Sequence, residues 1–350
     1  MSNAPVKTAL VGVGWWSTPV GAAAKRSPRI GLAACYTRDP GKRAAFARVH
    51  GCAEAGSFEE ILADASIEGV LITTPNSAHA AQVEAALRAG KHVWVEKPLV
   101  NTLAEAGPVL RAWGGSGKVL AVGHCYRRAA GHRVMRRMAE EGAIGRPLWA
   151  EAVFTTPAGL TLGPERWRFF RAECPGGPLM QMGIHHCDTL NCLMGRPVRV
   201  TGVHKRLATP AEIDDVTLTL VEHEGGRLSS IACSFVTSAA YSMRLHGTEG
   251  VLALEMTREN TTFAERTNQE TSLSIQAKGK AGFEPVPLPG MPDMIQDELE
   301  DFAEAVRTGR APETGPAEAL YALAVVEGSC VSAERGRPVE VKELLDGLGV

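Results

Sequence analysis

The sequence has no long apolar run, no long basic run and no closely spaced cysteine pair, and each absence excludes a class of protein. No stretch approaches the ~20 apolar residues that a membrane span needs, so we expect no membrane partner. The apolar run from Ala9 to Val13 is too short for a signal-peptide core and no cleavage site follows it, so the expected location is the cytoplasm. With 37 basic and 39 acidic residues, the net charge of −2 argues against nucleic acid as a partner.

The eight cysteines are dispersed along the chain, and none forms a Cys-x-x-Cys pair. Without an export signal, they are interpreted as reduced thiols that fill core positions, in preference to a disulfide framework. The consecutive residues His186, Cys187 and Asp188 resemble metal ligands, but neighbours on a helix cannot all face one ion. No second ligand pair has zinc spacing either, so no bound metal is expected.

The 350 residues suffice for two domains, and 45% apolar with 22% charged residues excludes disorder. In the first third, continuous apolar runs alternate with helical patterns, which predicts a parallel sheet covered by helices on both faces. After about residue 125 the strands alternate apolar and polar residues, and one pair turns at Gly225-Gly226 as a hairpin. This half predicts an antiparallel or mixed sheet with one face left for solvent or an interface.

Gly12 and Gly14 follow the first strand and open a helix, which is the position of a dinucleotide phosphate loop. Glycines let the backbone approach a pyrophosphate, and the helix N-terminus offers unpaired N–H groups. A third glycine would fall at Ser17, so the pattern is imperfect and a plain strand–helix turn is the alternative. The place at the first strand of an alternating α/β region favours the nucleotide loop.

The second strand ends at Thr37 and Arg38, where a loop that prefers NAD usually has an acid for the ribose 2′-hydroxyl. A hydroxyl and a guanidinium suit a 2′-phosphate, so NADP is favoured and NAD is the alternative. Asp39 competes for the acidic role, but it lies two positions late and fits better as the N-cap of a helix beginning at Pro40.

The segment Glu96-Lys97-Pro98 follows the fourth strand, at the sheet edge where such folds bind ligands. Lys97 there can contact a hydroxyl and favour its deprotonation, although most lysines are only solvated surface charges. The residues at the matching edge of the neighbouring strand are Thr73, Thr74, Pro75, Asn76 and His79.

Residues 176–195 open with two glycines and continue with apolar residues at helical spacing. On a helix, Gln181, His185 and Asp188 share one face, and His185 there can accept a proton near neutral pH. The alternative is a buried histidine held by local hydrogen bonds.

Together these segments resemble the Gfo/Idh/MocA family, named after glucose–fructose oxidoreductase, inositol dehydrogenase and rhizopine catabolism. The motifs that carry the resemblance are VGVGWWS, ITTPNSAH, VEKPL, GHCYRR, ERWR, CPGGPLMQMGIHHCD, HGTEG and DELEDFAEAVRTGRAP. The resemblance implies an α/β protein with a doubly wound, parallel Rossmann sheet in residues 1–124. An α/β domain for substrate binding and oligomerisation follows in residues 125–350, with an open, mostly antiparallel sheet, and the last helices can pack back on the Rossmann domain. A homodimer or homotetramer is expected.

The resemblance further implies hydride transfer between NAD(P) and a hydroxyl or keto carbon of a sugar, polyol or cyclitol. Lys97 is expected to contact substrate and ribose after a cis Lys97–Pro98 bond, and His185 to accept the proton. The expected cofactor-binding residues are Gly12, Gly14, Trp15, Trp16, Thr37, Arg38, Thr74, Pro75, Asn76, His79, Glu96, Lys97, Trp167 and Arg168. The expected substrate-binding residues are Lys97, Tyr126, Arg127, Gln181 and His185.

One position departs from the family pattern, because many members have an aspartate four residues before the histidine, where this chain has Gln181. An amide cannot take a proton or stabilise an imidazolium as a carboxylate does. Gln181 can still hydrogen-bond a substrate hydroxyl, so Lys97, Gln181 and His185 form the expected catalytic set. Asp188 either orients His185 or serves only packing.

Two other functions compete with a dehydrogenase that turns its cofactor over. One is a glycosidase-like family enzyme that oxidises and re-reduces a bound NAD within one cycle. The other is a non-catalytic regulator that senses nucleotide, against which the presence of both Lys97 and His185 argues.

Overall fold

The computed structural model describes residues 4–256, 271–290 and 293–349, and the chain divides into two compact units. The first unit comprises Met1–Cys125 and Pro292–Ala319, and the second comprises Tyr126–Met291 and Leu320–Val350. The helices are α1 (Ser17–Arg26), α2 (Pro40–His50), α3 (Phe58–Ala63), α4 (His79–Arg88), α5 (Ala106–Ser116), α6 (Ala130–Glu140), α7 (Ile184–Met194), α8 (Met294–Thr308), α9 (Pro316–Arg335) and α10 (Val341–Leu345).

The first unit holds a six-stranded sheet in the order β3-β2-β1-β4-β5-β6, with all pairs parallel. Its strands are β1 (Val6–Val11), β2 (Ile30–Tyr36), β3 (Ala53–Glu54), β4 (Gly69–Ile72), β5 (His92–Glu96) and β6 (Leu120–Gly123). The strand order reverses between β1 and β4, so the carboxyl ends of these two strands border the crevice where such sheets bind ligands. The predicted parallel sheet is confirmed.

Local sequence signals explain the helix ends of this unit, and the cap predicted at Asp39 is confirmed. The Asp39 carboxylate accepts from the Lys42 N–H at 3.0 Å and caps α2, and Ser57 caps α3 in the same way. Gly51 ends α2 in the left-handed conformation, with φ of 70°, and Gly309 ends α8 with φ of 76°. These ends follow from short side chains and glycines that satisfy free backbone groups.

The second unit holds a nine-stranded sheet in the order β14-β13-β12-β11-β7-β10-β9-β8-β15. Its strands are β7 (Pro147–Thr155), β8 (Pro197–Lys205), β9 (Val216–His223), β10 (Leu228–Ser234), β11 (Ala240–Gly247), β12 (Gly250–Met256), β13 (Thr271–Ala277), β14 (Glu284–Val286) and β15 (Val339–Glu340). Only the β7–β10 pair is parallel among these strands, so the sheet is mixed and mostly antiparallel, as the resemblance implies. The predicted hairpin at Gly225-Gly226 is confirmed, with φ of 75° at both glycines.

The two faces of this sheet differ in burial. Ala150, Ala152 and Phe154 of β7 are buried on the face that α7 covers. On the other face the strands present exposed apolar side chains, and their register places neighbours side by side: Leu218 lies opposite Val203, and Leu228 lies opposite Trp149. We call this surface the open sheet face, defined by Trp149, Val203, Leu218, Leu220 and Leu228.

All eight cysteines are free thiols, and most of them are buried. Among the helices that the structure describes, none combines the length and apolar character needed to cross a membrane.

Candidate functional site

The glycine loop of the first unit leaves backbone bare where a ligand can approach. Gly12 has φ of 97°, and a Cβ there would lie 2.6 Å from Thr74 Cγ2 and 2.7 Å from the Thr74 nitrogen, so only glycine fits. A Cβ on Gly14 would meet nothing within 4 Å, so this residue borders open space. Ser17, at the expected third glycine, is buried and donates its hydroxyl to the Gly14 carbonyl at 2.7 Å.

The surroundings of this loop fit a dinucleotide. Helix α1 begins after Trp16 with no side-chain cap and no acidic residue in its first turn. Pro19 of this turn has no N–H, and the Thr18 N–H contacts the Trp15 carbonyl at 3.4 Å, so it is the positive end of the helix that suits a diphosphate. The buried amide nitrogen of Asn76 has no hydrogen-bond partner among the residues that the structure describes, which suits a ligand that accepts a hydrogen bond.

Glu96 connects the glycine loop to the end of β5. The Trp16 indole N–H donates to Oε1 of Glu96, and the Lys97 backbone N–H donates to Oε2 at 3.1 Å. Burial raises the pKa of Glu96 to about 7, against the opposing effects of Lys97 and the Trp16 bond. A Cβ on Gly123 of β6 would lie 2.9 Å from the carboxylate, so the glycine makes room for Glu96. Sequence reasoning named both Trp16 and Glu96 but missed their contact.

His79 connects the ends of β4 and β5. Its Nδ1 lies 2.7 Å from the Pro98 carbonyl and its Nε2 lies 2.9 Å from the Thr74 carbonyl. A carbonyl only accepts, so both contacts are hydrogen bonds only when the ring is protonated, while burial lowers the pKa of His79. The ring thus positions the backbone on which Thr74, Pro75 and Asn76 lie. The Lys97–Pro98 bond is cis, as the resemblance implies.

The end of β2 keeps Arg38 exposed. Arg43 donates to the Thr37 carbonyl and to the Glu54 carboxylate, both at 3.3 Å. The Asp39 carboxylate caps α2, which is the role predicted for it. Arg38 is therefore the exposed cation beside Thr37, where a ribose substituent would lie if the loop binds a dinucleotide.

In the second unit, the segment predicted as one helix starts with a π-helical turn, Leu179–Gly183, and continues as α7. The backbone of this turn packs closely against β10: a Cβ on Gly183 would lie only 2.5 Å from the Cys233 sulfur, so a larger residue would not fit. A π turn takes more than four residues per revolution, so Gln181 and His185, four apart, stay on neighbouring turns of one face. Both side chains are buried.

Gln181 binds the segment that carries Trp167 and Arg168. Arg168 Nε donates to Oε1 of Gln181 at 2.8 Å, and its guanidinium lies 4.2 Å from the centre of the Trp167 ring. Desolvation lowers the pKa of Arg168. The three residues expected near substrate and cofactor therefore form one connected group.

Asp188 pairs with Arg127, and both side chains are buried. Arg127 Nε and Nη2 donate to the two carboxylate oxygens at 2.7 and 2.5 Å. The sequence left two roles open for Asp188, orienting His185 or packing. The structure shows a further one, because its carboxylate neutralises Arg127. Arg127, expected at the substrate, directs its guanidinium to this carboxylate.

The ring of His185 lies against a stack of tyrosines. Its centre is 4.4 Å from that of Tyr126, which stacks on Tyr241 at 5.2 Å. The Tyr241 hydroxyl lies 3.0 Å from His132 Nε2, which anchors the far end of the stack. Sequence reasoning missed Tyr241 and His132, because each lies in an ordinary strand or helix pattern without a motif.

Each unit thus gathers its share of the expected residues. The first brings together Gly12, Gly14, Trp15, Trp16, Thr74, Pro75, Asn76, His79, Glu96 and Lys97 near the carboxyl ends of β1, β4 and β5, with Thr37 and Arg38 after β2. The second brings together Tyr126, Arg127, Trp167, Arg168, Gln181 and His185. In the described parts of the chain, no group of three or more His, Cys, Asp or Glu side chains is placed to hold a metal.

Comparison with known proteins assigns both halves to one family. Residues 6–124 match the oxidoreductase family model with the NAD-binding Rossmann fold, and residues 132–253 match the Gfo/Idh/MocA C-terminal domain. A 1,5-anhydro-D-fructose reductase of Ensifer adhaerens is 28% identical, covering 85% of this chain and 87% of the reductase. A scyllo-inositol 2-dehydrogenase (NAD+) of Bacillus subtilis is 26% identical, covering 81% and 80%.

A crystal structure from Desulfitobacterium hafniense, of a protein assigned as an NADPH-dependent oxidoreductase, superposes with a TM-score of 0.94. It is 32% identical and covers 99% of this chain and 100% of that chain. The chain therefore belongs to the Gfo/Idh/MocA family of NAD(P)-dependent oxidoreductases.

Proposed function

We propose that the enzyme transfers a hydride between NADP and a hydroxyl or keto carbon of a sugar, polyol or cyclitol. The observation that carries the proposal is the common sheet edge of the first unit, where Lys97 follows β5 and the bare Gly12–Gly14 loop follows β1. Relatives named as a reductase of anhydrofructose and a dehydrogenase of scyllo-inositol support this substrate class.

The residues take the following parts. Gly12, Gly14 and the N-terminus of α1 hold the diphosphate, and the surrounding cofactor contacts come from Trp15, Trp16, Thr74, Pro75, Asn76, Glu96, Trp167 and, through the backbone, His79. When bound, the nicotinamide supplies the hydride acceptor or donor. In oxidation, His185 removes the hydroxyl proton while Lys97 stabilises the negative charge that develops on the oxygen. Tyr126 supports the ring of His185, and Gln181 contributes its amide to substrate binding.

Preference for NADP over NAD is proposed from Thr37 and Arg38. The hydroxyl and the exposed guanidinium suit a 2′-phosphate, and the acid nearby, Asp39, is engaged as a helix cap.

Substitution of the two proposed catalytic side chains tests the function. Lys97→Ala and His185→Ala should each lower turnover by about 100- to 10,000-fold, with much smaller changes in nucleotide affinity. The assay follows reduced nicotinamide at steady state with a panel of sugars, polyols, cyclitols and keto forms. An enzyme that recycles a bound NAD would show no net change in this absorbance.

His186→Ala is the matched control, because His186 is a buried neighbour whose Nε2 bonds the Val153 carbonyl at 3.1 Å. It should lower the melting temperature, with turnover retained in the folded fraction. If His185→Ala behaves as His186→Ala does, His185 is a core residue and has no place in the mechanism.

We also propose a homodimer or homotetramer that forms through the open sheet face, since exposed apolar side chains lie on this face of four neighbouring strands. A cytoplasmic location is proposed from the eight free thiols, which suit a reducing compartment.

A further inference from the structure

We propose that Arg168 binds a carboxylate of the substrate, so that the enzyme acts on acidic sugar derivatives, such as uronates or aldonates, in preference to their neutral counterparts. This inference rests on the function proposed above and deepens it by naming a substrate class.

The immediate partners of Arg168 are neutral. Its Nε donates to the Gln181 amide oxygen at 2.8 Å, and its Cζ lies over the Trp167 ring, 4.2 Å from the ring centre. Over the described ranges of the chain, no carboxylate forms an ion pair with it. Other arginines of the same unit have one: Arg127 pairs with Asp188 and Arg171 with Asp214.

Arg168 also loses part of its hydration. Burial lowers the pKa of its guanidinium, yet an arginine stays charged in proteins. Arg168 is a partly desolvated cation whose neighbours are an amide and an aromatic ring. These neighbours compensate less of the lost hydration than a carboxylate would. An anion from outside the chain supplies that stabilisation.

The geometry favours a carboxylate over a single hydroxyl. With Nε bonded to Gln181, the two Nη groups remain as a planar fork, which matches the two oxygens of a carboxylate. Stacking on Trp167 and the bond to Gln181 fix the plane of the fork before a ligand arrives, which lowers the entropy lost on binding.

The position relative to the proposed base supports a role in substrate binding. Gln181 lies four residues before His185, and both side chains are buried. Because Arg168 is bonded to Gln181, one sugar acid can present a hydroxyl to His185 and its carboxylate to Arg168. Arg127, the other guanidinium of this group, is already neutralised by Asp188 and offers no comparable site.

The residue type at position 181 determines whether the charge of Arg168 is available to a substrate carboxylate. An acid at this position would neutralise Arg168 within the chain, whereas the amide holds it without cancelling its charge. The glutamine thus acts as a specificity-determining residue together with Arg168.

The test compares matched pairs of compounds: D-glucuronate with D-glucose, D-galacturonate with D-galactose, and D-gluconate with D-glucitol. Turnover is measured with NADP+ and NAD+, and calorimetry measures the affinity of each compound for the enzyme–NADP+ complex. We expect at least one acid to exceed its neutral partner about 10-fold or more in affinity and in kcat/KM, with the advantage decreasing as salt rises. If every neutral compound equals or exceeds its acid, the anion site is wrong.

Three variants test whether Arg168 and Gln181 cause the preference for acids over neutral compounds. Arg168→Gln should lower the acid-to-neutral ratio of kcat/KM by about 10- to 100-fold, chiefly through KM for the acid. Gln181→Glu keeps the shape of the side chain and supplies an internal carboxylate, so it should lower the same ratio even if Arg168→Gln fails to fold. Arg166→Gln removes an equal charge two residues away, from a side chain that is 73% exposed, and should leave the ratio unchanged.

The outcomes separate this inference from the proposed function. If the enzyme turns over sugars and loses activity in His185→Ala, but the ratio is the same in the wild type, Arg168→Gln and Gln181→Glu, the function stands and the anion site is wrong. If acids bind in calorimetry and lose affinity in Arg168→Gln while no compound is turned over, the anion site stands and the proposed function fails. If no acid binds at all, the anion site is likewise wrong.

Discussion

Glu96 is a buried carboxylate whose two oxygens serve two parts of the first unit. The Trp16 indole donates to one oxygen and the Lys97 backbone N–H to the other. An ionised carboxylate accepts both hydrogen bonds. When it is protonated, one oxygen carries a hydrogen that faces an N–H donor, which weakens that bond. Because burial raises the pKa of Glu96 to about 7, we expect the hydrogen bond that holds Trp16 to respond to pH near neutrality.

Nucleotide binding should therefore depend on the protonation of Glu96. Affinity should decrease as the pH falls from 8 to 6, because protonation of Glu96 weakens the bond that holds Trp16. Calorimetry with NAD is the suitable measurement, since NAD carries no titrating 2′-phosphate. In Glu96→Gln, which cannot ionise, the decrease should disappear. A decrease of the same size in that variant would show that another group titrates.

Arg38 is the residue to test for cofactor choice. NADPH should bind more tightly than NADH, and Arg38→Ala should narrow the difference by about 10- to 100-fold, since a charge-assisted bond to phosphate contributes roughly 1.5–3 kcal/mol. Lys42→Ala, a change to another cation nearby on α2, is the control and should have a smaller effect. Equal or tighter binding of NADH to the wild type would contradict the assignment.

At the scale of helices and strands, the sequence predicted those features that depend on residues adjacent in the chain. The N-cap at Asp39 and the hairpin at Gly225-Gly226 each depend on a few adjacent residues, and both predictions are confirmed. The π turn at Leu179–Gly183 was not predictable in this way, since it accompanies close packing of Gly183 against a strand 50 residues later.

Side-chain partners at the candidate site were equally hard to predict. The resemblance implied that Trp16, Glu96 and Arg127 belong to the site, and it left the role of Asp188 open. The bond between Trp16 and Glu96 spans 80 residues of sequence, and the bond between Arg127 and Asp188 spans 61. Periodicity carries no information on such pairs. The motifs therefore predicted which residues gather, while the bonds between them needed the fold.

Within the first unit, an ion pair joins the end of α8 to Glu68, which precedes β4, and its contribution to stability should depend on pH. Arg307 donates to both oxygens of Glu68, at 2.5 and 3.0 Å, and the pKa of Glu68 is lowered to about 2. A carboxyl whose folded pKa lies below its unfolded value stabilises the fold above the unfolded pKa, and this contribution is lost as the pH falls.

Glu68→Gln should accordingly lower the free energy of unfolding at pH 7 by about 1 kcal/mol or less, because the Glu68 side chain is 37% exposed and solvent screens the pair. The difference from the wild type should shrink as the pH falls from about 4.5 towards about 2. Urea denaturation at pH 7, 4 and 3 measures it. Glu59→Gln, at an exposed position on α3 of the same unit, controls for the loss of a surface charge. A difference that stays constant with pH would mean that the ion pair contributes nothing.

At the scale of the whole molecule, the two units contain sheets of different kinds, one parallel and one mixed. The parallel sheet of the first unit carries the Gly12–Gly14 loop and Lys97 at its carboxyl edge, where we propose that the nucleotide binds. Within the described residues, the mixed sheet of the second unit has one buried face, against which α7 packs with His185, and one face with exposed apolar side chains. Both sheets follow from the period of apolar residues in the sequence, but the substrate does not, because it depends on single side chains such as Gln181 and Arg168.

The open sheet face should join copies of the chain, because adjacent exposed leucines and valines lose contact with water when a second sheet covers them. We expect a dimer or tetramer at micromolar concentration in light scattering and sedimentation. Leu220→Lys, at a side chain 60% exposed on β9, should shift the assembly towards smaller species. Leu207→Lys is the matched control, since Leu207 is 69% exposed but lies beyond the end of β8, outside this face, and should leave the assembly intact. A wild-type monomer, or equal dissociation by both variants, would place the contact between subunits elsewhere or remove it.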